Sequence, residues 1–410
     1  MICCAGCGAP DRGTEITFWG FGNEGENVRA LIPEFERQNP GIRVRVQMIP
    51  WTAAHEKLLT AFAGNSLPDI CQLGNTWIPE FAVLKALEDL DPWISQSSLI
   101  KPDNYFSGIW ETNVIERTAF GVPWYVDTRL LYYRKDIFEK AGYSHPPRTW
   151  DEWLDLSRKI KQLAGKEDKY AVLLPTNEWA PFVIAGLQAG SSLLKDGDRY
   201  GNFSGPEFRK SFEYLMNFYR TGLAPVGITQ VTNIYHGISE GFFAMCITGP
   251  WNIGEFRRRL PESLQDDWMT ASMPGPTQPG VSLAGGSSLV LFRSSQHKAE
   301  AWKFIEFMSE PQQQLEFYTI TGDLPAVQKA WQDSSLANNK YARAFYDQLQ
   351  RVVPTPKVPE WERIAMKVQQ YAEAASTSTM SVNEALSALD RDVNVILEKH
   401  RWMMDRRTHD

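Results

Sequence analysis

Residues 120–136 read FGVPWYVDTRLLYYRKD, and the fold turns on how they are parsed. Gly121-Val122-Pro123 reads as a tight turn. After it come an indole and a phenol, Trp124 and Tyr125, then an acid, Asp127, and an apolar strand, Leu130-Leu131-Tyr132-Tyr133. Asp127 is the only charge before Arg129. Rings beside a lone carboxylate suit a polyol: a ring packs on the flat C–H face, and the carboxylate accepts from hydroxyls. The alternative is an ordinary buried strand whose Trp and Tyr are core.

Upstream, Ile16-Thr17-Phe18-Trp19 predicts a short strand. It feeds Gly20-Phe21-Gly22-Asn23-Glu24-Gly25, a G-x-G-x-x-G between strand and helix, the setting of a dinucleotide fingerprint. The helix after it puts Val28, Leu31, Ile32 and Phe35 on one face and stops at Asn39-Pro40-Gly41. The next strand alternates Ile42, Val44, Val46 and Met48. Its end carries no Asp or Glu for a ribose, only Gln47, Met48, Ile49 and Pro50, which weakens the nucleotide reading. A helix with Leu58, Leu59 and Phe62 follows, then a strand at residues 68–73 and the loop Gly74-Asn75-Thr76-Trp77. Residues 81–90 read as a helix with Leu84, Leu87 and Leu90 at helical spacing. Strand and helix thus alternate three times, the signature of an α/β sheet whose strand C-termini face the ligand.

Downstream, Thr149-Trp150-Asp151-Glu152 reads as a capping box before a stripe of Trp153, Leu156, Ile160 and Leu163. A strand at residues 170–174 leads to Pro175-Thr176-Asn177-Glu178-Trp179, another loop pairing polar groups with an indole. Ser204-Gly205-Pro206-Glu207 reads as a second capping box, opening a helix with Phe208, Phe212, Leu215 and Tyr219. The apolar strand at residues 241–247 runs into Thr248-Gly249-Pro250-Trp251-Asn252. Cys246 and Cys71, both mid-strand, read as buried thiols and not as nucleophiles. Residues 278–286 are rich in Gly and Pro and read as a linker. Then come a strand at residues 288–292, a helix at 300–308 with Trp302, Ile305 and Met308 inward, and the segment Thr321-Gly322-Asp323-Leu324-Pro325-Ala326. The rest is helical, finishing on a capping box at Ser381-Val382-Asn383-Glu384 and a polar, mobile tail at residues 401–410.

A chain of 410 residues exceeds one ordinary core, so two domains are expected. The net charge of −7 argues against nucleic acid, whose phosphates need a basic surface. Of 15 tryptophans, Trp19, Trp77, Trp124, Trp179, Trp251 and Trp361 lie within two residues of Gly, Pro, Asn or Asp, outside apolar runs, which points to loops at a cleft. No apolar run approaches the roughly 20 residues of a membrane helix. The five cysteines and six histidines form neither a disulfide framework nor a zinc-ligand spacing, so no metal and no cofactor are expected. Cys4-Ala5-Gly6-Cys7 resembles a bacterial lipobox with Cys7 as the lipidated residue, although almost no charged or apolar signal region precedes it.

Together these segments resemble the extracellular solute-binding proteins of bacterial ABC importers, in the maltose/trehalose/multiple-sugar branch. The resemblance runs from Glu15 to about Lys399. It rests on the opening strand ITFW, on PDI before an aromatic loop, and on GVPWYVDTRLLYYRKDIFEKAG followed by TWDEW. ITGPWNIGEF, AGGSSLVL and TGDLPA complete it, in that order. It implies an α/β fold of the periplasmic-binding-protein type II: two α/β lobes, a ligand cleft and three hinge crossings. Lobe one would be residues 14–124 plus 287–322, and lobe two residues 125–286 plus 323–400, after a residual signal or linker at 1–13 and before a tail at 401–410. Such a protein is no enzyme. It captures a sugar by lobe closure and presents it to membrane permease subunits, here as a lipid-anchored monomer outside the cytoplasm.

Matched residue by residue, the resemblance makes the glycine loop a sugar loop with Trp19, Phe21 and Glu24. Asn75 and Trp77 match a second contact loop where the family often has an acid. Trp124, Tyr125 and Asp127 match hinge contacts. Glu178 and Trp179 match a stacking loop, and Trp251 its most recurrent stacking ring. Gly285, Gly286 and Asp323 sit at the other crossings, and Trp361 matches a late aromatic contact. A buried hydroxyl left unpaired costs roughly 1–3 kcal/mol, so Glu24, Asn75, Asp127 and Glu178 would select hydroxyl orientation. Six indoles suit a di- or oligosaccharide better than a monosaccharide. Three other readings stand beside this one: an oxidoreductase holding NAD(P) at Gly20-Gly25, a glycoside hydrolase using Asp127 and Glu178, and a binder of a non-sugar ligand such as a polyamine.

Overall fold

Two α/β units account for the described residues, which are 13–165, 168–227 and 233–407 of the computed structural model. Cys7 lies outside them. The first unit holds the chain up to Tyr105, Asn113–Val126 and Gly286–Ala330; the second holds Phe106–Thr112, Asp127–Gly285 and the chain from Trp331 onward. Beyond shifts of one or two residues at 125–126 and 286, these boundaries differ from the expected ones in two places. Leu324–Pro325 pairs antiparallel with Val126 and Tyr125 and so stays with the first unit. Residues 106–112 go with the second, where Gly108 packs against the Val352 carbonyl. No helix among the described residues is long and apolar enough to cross a membrane.

The first unit is built on a six-stranded sheet in the order Leu324–Pro325, Val122–Asp127, Gly285–Leu291, Ile70–Gly74, Thr14–Phe21, Ile42–Ile49. Thr14–Phe21 runs parallel to both of its neighbours, and the Trp51–Ala63 helix makes one of the crossovers that parallel strands require. Inner strands covered on both faces need apolar residues in both directions. Ile16, Phe18, Ile70, Leu73, Leu289 and Val290 are accordingly all fully buried. The edge strand Ile42–Ile49 instead turns Arg43 and Arg45 outward, paired with Glu36 and Glu15, which blunts an otherwise adhesive edge. Buried Asp69 accepts from the Thr17 N–H (2.7 Å), the Thr17 hydroxyl (2.9 Å) and the Ser295 hydroxyl (2.6 Å), so its charge is well solvated inside the protein.

In the second unit Trp268–Ala271, Leu130–Arg134, Phe243–Thr248 and Tyr170–Leu173 form one sheet in that order. Every residue of the two inner strands is buried. Cys246 sits among them; burial pushes its thiol and that of Cys71 up, as expected of core residues. Trp361–Ser376 and Val382–Ile396 pack against one another, the latter opening on the expected capping box. The Ser381 hydroxyl accepts from the Glu384 N–H, and the Glu384 carboxylate accepts from the Ser381 N–H.

Several local expectations are corrected. Residues 121–123 are no turn: the strand begins at Val122, and Gly121 is small because an added Cβ would fall 2.4 Å from Asn113 Oδ1. The helix expected at 81–90 is Ile78–Val83; Lys85 takes a left-handed φ of 56°, and Leu87 bridges to Phe292. The leucine spacing there is one of burial and not of helix. Ser204 caps no helix, since its N–H and hydroxyl both go to Asp390 and Pro206–Arg220 starts behind Gly205. Leu163 is exposed, and Trp150 completes the buried face of Trp150–Ala164 in its place. Within the expected linker, Ser282–Leu283 pairs with Val352–Val353. The tail is a helix, Glu398–Arg407, pinned by the Arg401 guanidinium on the Asn394 and Arg199 carbonyls.

Candidate functional site

In the second unit the groups gather on Arg129. The strand Val122–Asp127 ends on the acid, two residues follow, and Leu130–Arg134 begins in the second unit's sheet. Ser282 Oγ donates to the Arg129 carbonyl (2.6 Å), fixing the backbone there. The guanidinium donates to Asp127 Oδ1 (2.9 Å), lies 3.7 Å from Glu178 Oε2, and covers the Trp251 ring with its carbon 4.5 Å from the centroid. Two carboxylates and one guanidinium leave one net negative charge, with donors and acceptors interleaved beside an indole.

Trp251 is 43% exposed, and its turn is braced from below. Tyr132 donates to the Gly249 carbonyl (2.8 Å), Asn252 to the Thr248 hydroxyl (2.6 Å) and Tyr235 to the Asn252 amide oxygen (2.8 Å). The ring lies directly on Gly249: a Cβ there would sit 1.9 Å from Trp251 Cζ3. Gly249→Ala is therefore expected to swing the ring away and weaken ligand binding by about tenfold, the size of one lost aromatic contact. Titration calorimetry beside a melting curve checks it; unchanged affinity would show that the ring's seat does not matter.

Gly285 belongs to the same cluster, because a Cβ on it would fall 2.8 Å from Asp127 Oδ1; Gly286 takes a φ of 119°. Trp179, at the start of the Ala180–Gln188 helix, meets Trp361 edge-to-face at 5.6 Å. Trp361 itself is 0% exposed.

In the first unit a second cluster forms around Glu24, on the short helix Gly22–Asn27. Trp51 Nε1 donates to Glu24 Oε2 (3.1 Å), and the Trp51 ring meets Phe21 at 5.0 Å and Trp77 at 5.8 Å. His55 stands 5.0 Å from the Trp77 ring and 2.6 Å from Glu80. Lys57 covers the Trp19 ring at 5.1 Å. Burial is the main influence on Glu24 and raises its pKa above the usual glutamate range, against the lowering effect of its hydrogen bonds. An acid raised in the folded state contributes stability below its unfolded pKa and loses it as pH climbs through the folded one. Glu24→Gln should thus raise the melting temperature relative to the parent at about pH 7 and lose that advantage near about pH 4. Melting curves across that range decide it; a constant offset would contradict the burial effect.

Deeper in this unit, Gln72 accepts from the Phe21 N–H (2.7 Å) and donates to the Tyr125 hydroxyl (2.9 Å), which also accepts from Ser287 (3.0 Å). Asn75 is buried, accepts from Ser288 (3.3 Å) and keeps an Nδ2 with no hydrogen-bond partner among the described residues. Asp323 follows the Pro311–Thr321 helix, its N–H on the Thr321 hydroxyl.

Four of the fifteen sequence candidates correct their expected placement in cleft loops: Trp19 lies inside the strand Thr14–Phe21 and is 8% exposed, and three lie deeper. Phe21 is wholly buried; Trp124 is 1% exposed, stacked on Phe317 at 4.4 Å with Phe18 edge-on; and Trp361 lies in the core of the second unit. For these the core reading describes the side chain. Sequence reasoning missed Trp51, His55 and Arg129. Trp51 carries the same signature as the indoles that were found, standing after Pro50 where a strand meets a helix. Arg129 carries no local signal of its own, since its partners Glu178 and Trp251 are remote in sequence.

The glycine motif serves packing. An added Cβ on Gly20 would come 2.5 Å from Gly25 Cα, and one on Gly25 2.4 Å from the Gly20 carbonyl. Each glycine lets the other's backbone approach.

The bacterial extracellular solute-binding protein family matches residues 21–315 of the chain. This protein belongs to that family. Among solved structures, the sugar-binding protein MalE of the phytopathogen Xanthomonas citri is 49% identical with a TM-score of 0.93, over 96% of this chain and 99% of that one. An ABC transporter solute-binding protein of Thermotoga lettingae, bound with α-D-tagatose, is 26% identical with a TM-score of 0.78, over 94% and 100%. The diacetylchitobiose-binding protein DasA of Streptomyces coelicolor is 25% identical over 86% of this chain and 82% of its own. The two α/β units are those of the type II periplasmic-binding-protein fold, and a member of this family works outside the cytoplasm.

Proposed function

We propose that this solute-binding protein is the carbohydrate-binding component of an ABC importer, taking a di- or oligosaccharide and delivering it to permease subunits as a monomer. The observation that carries this reading is the Arg129 cluster, in a chain 49% identical to a sugar-binding protein. A half-exposed indole offers a face to C–H groups, while Asp127 and Glu178 accept from hydroxyls and Arg129 donates to them. Trp19, Glu24, Trp51 and Trp77 supply the same combination in the other unit, with Asn75 Nδ2 as a donor in want of an acceptor. Tyr125, Trp179, Gly285, Gly286 and Asp323 would support these contacts. No catalytic step is part of this role.

A thermal-shift screen of the full chain against mono-, di- and oligosaccharides, with NAD and NADP included, tests the reading. A ligand that binds only the folded state adds about 2.7 kcal/mol at a hundredfold excess over Kd. A shift with one saccharide class supports the proposal; a shift with a dinucleotide alone overturns it.

Membrane attachment is proposed through Cys7. Cys7→Ser in the full chain should move the protein from the membrane fraction to the soluble one, a change read by immunoblot. Continued anchoring would refute lipidation at that residue.

A further inference from the structure

A second, basic cavity lies in the second unit, lined by residues that share nothing with the Arg129 cluster. The loop before the Trp150–Ala164 helix, the edge strand Trp268–Ala271 and the helix Arg343–Leu349 enclose about 500 Å³. That is within the range of small-molecule sites, roughly 300–1,000 Å³. Four cationic side chains line it, Arg148, Lys340, Arg343 and Arg351, against one carboxylate, Asp347. In a chain of net charge −7 this local surplus is a built feature.

The arginines are not used up by the fold. Among the described residues the guanidiniums of Arg148 and Arg343 make no hydrogen bond and no ion pair. Arg351 donates through Nη2 to Ser272 Oγ (3.2 Å), but its buried Nε has no acceptor. Of the four, Lys340 alone among the described residues stands in an ion pair, with Asp266 at 2.8 Å. The loop is held firmly: the Arg148 carbonyl accepts from Gly275 N–H (3.2 Å), and the Arg148 N–H donates to Glu152 (2.7 Å). A neighbouring cavity of about 480 Å³ shares His145, Met269 and Lys340 and adds Lys135 together with Asp266, so the surplus of positive charge belongs to the first cavity alone.

Guanidinium forks pair with oxyanions through two parallel hydrogen bonds, and several unpaired ones around one cavity repel until an anion sits among them. We propose that this groove binds a small, multiply charged oxyanion bearing phosphate or carboxylate groups, independently of the saccharide. Arg148, Arg343 and Arg351 are the principal ligands and Ser272 an auxiliary one.

Titration calorimetry of the full chain with pyrophosphate and with citrate tests this, in parent protein and in an Arg148→Gln/Arg343→Gln double variant. Both side chains are exposed, so the variant keeps its melting temperature. The expected result is binding to the parent that weakens with added salt and falls by about tenfold or more in the double variant. Arg343→Lys should lose less, because charge is kept and the fork is not. Saccharide affinity should match in all three proteins. Heat from pyrophosphate alone assigns phosphate chemistry, and heat from citrate alone assigns carboxylate chemistry. No heat from either anion, or equal heats in parent and double variant, overturns the proposal.

Discussion

Trp251→Ala is expected to lower saccharide affinity by roughly 30- to 150-fold, about 2–3 kcal/mol, while leaving the melting temperature unchanged. The two halves of that expectation have separate causes. Loss of affinity follows from removing the apolar face beside Asp127, Glu178 and Arg129. Retention of the fold follows from exposure: 43% of the residue faces solvent, and the turn beneath it is held by Tyr132, Asn252 and Tyr235 without help from the indole. Calorimetry and a melting curve on the same preparation read both. Full affinity in the variant would remove Trp251 from the binding site.

Trp361→Ala is expected to do the reverse. The ring is wholly buried at the start of the Trp361–Ser376 helix, in a core with Ile364, Ala365 and Val368. Cutting a buried tryptophan to alanine costs about 3–5 kcal/mol through lost transfer energy and the cavity left behind. In a unit of this size the melting temperature should fall by roughly 6–20 °C. Its Nε1 has no hydrogen-bond partner among the described residues, so Trp361→Phe should recover much of the loss. A Trp361→Ala protein that melts normally but no longer binds sugar would make this ring a ligand contact after all.

The contrast between these tryptophans marks how far the sequence could be read. Strands with both faces covered announce themselves, because Leu130–Arg134 and Phe243–Thr248 must be apolar in both directions. Alternation of such runs with amphipathic helices gave the α/β class directly. What periodicity cannot tell is why a residue is buried. Leu84, Leu87 and Leu90 sit at helical spacing, yet Leu87 is buried by pairing with Phe292 from two hundred residues away. Ser204 has a capping neighbour three residues on, but the Asp390 carboxylate accepts from both its N–H and its hydroxyl and draws it away from the helix. Both outcomes depend on partners remote in sequence.

Site residues were legible to the same degree. An indole within two residues of Gly, Pro or Asn marks a junction, and Trp77, Trp179 and Trp251 all stand just ahead of helices. The same neighbours surround Trp124, which a strand carries into the core, where Phe317 and Phe18 close over it. Arg129 gains its place only from the meeting of Asp127, Glu178 and Trp251, three positions spread over more than a hundred residues. Local sequence has no signal for that.

The most direct measurement is titration calorimetry of the full chain with a panel of di- and oligosaccharides and with NAD, in parent and Trp251→Ala proteins side by side. A carbohydrate seat at Arg129 and Trp251 requires saccharide binding in the parent that is lost in the variant, with both proteins melting together. Identical binding curves for the two proteins, or heat from a dinucleotide and none from any saccharide, would contradict it.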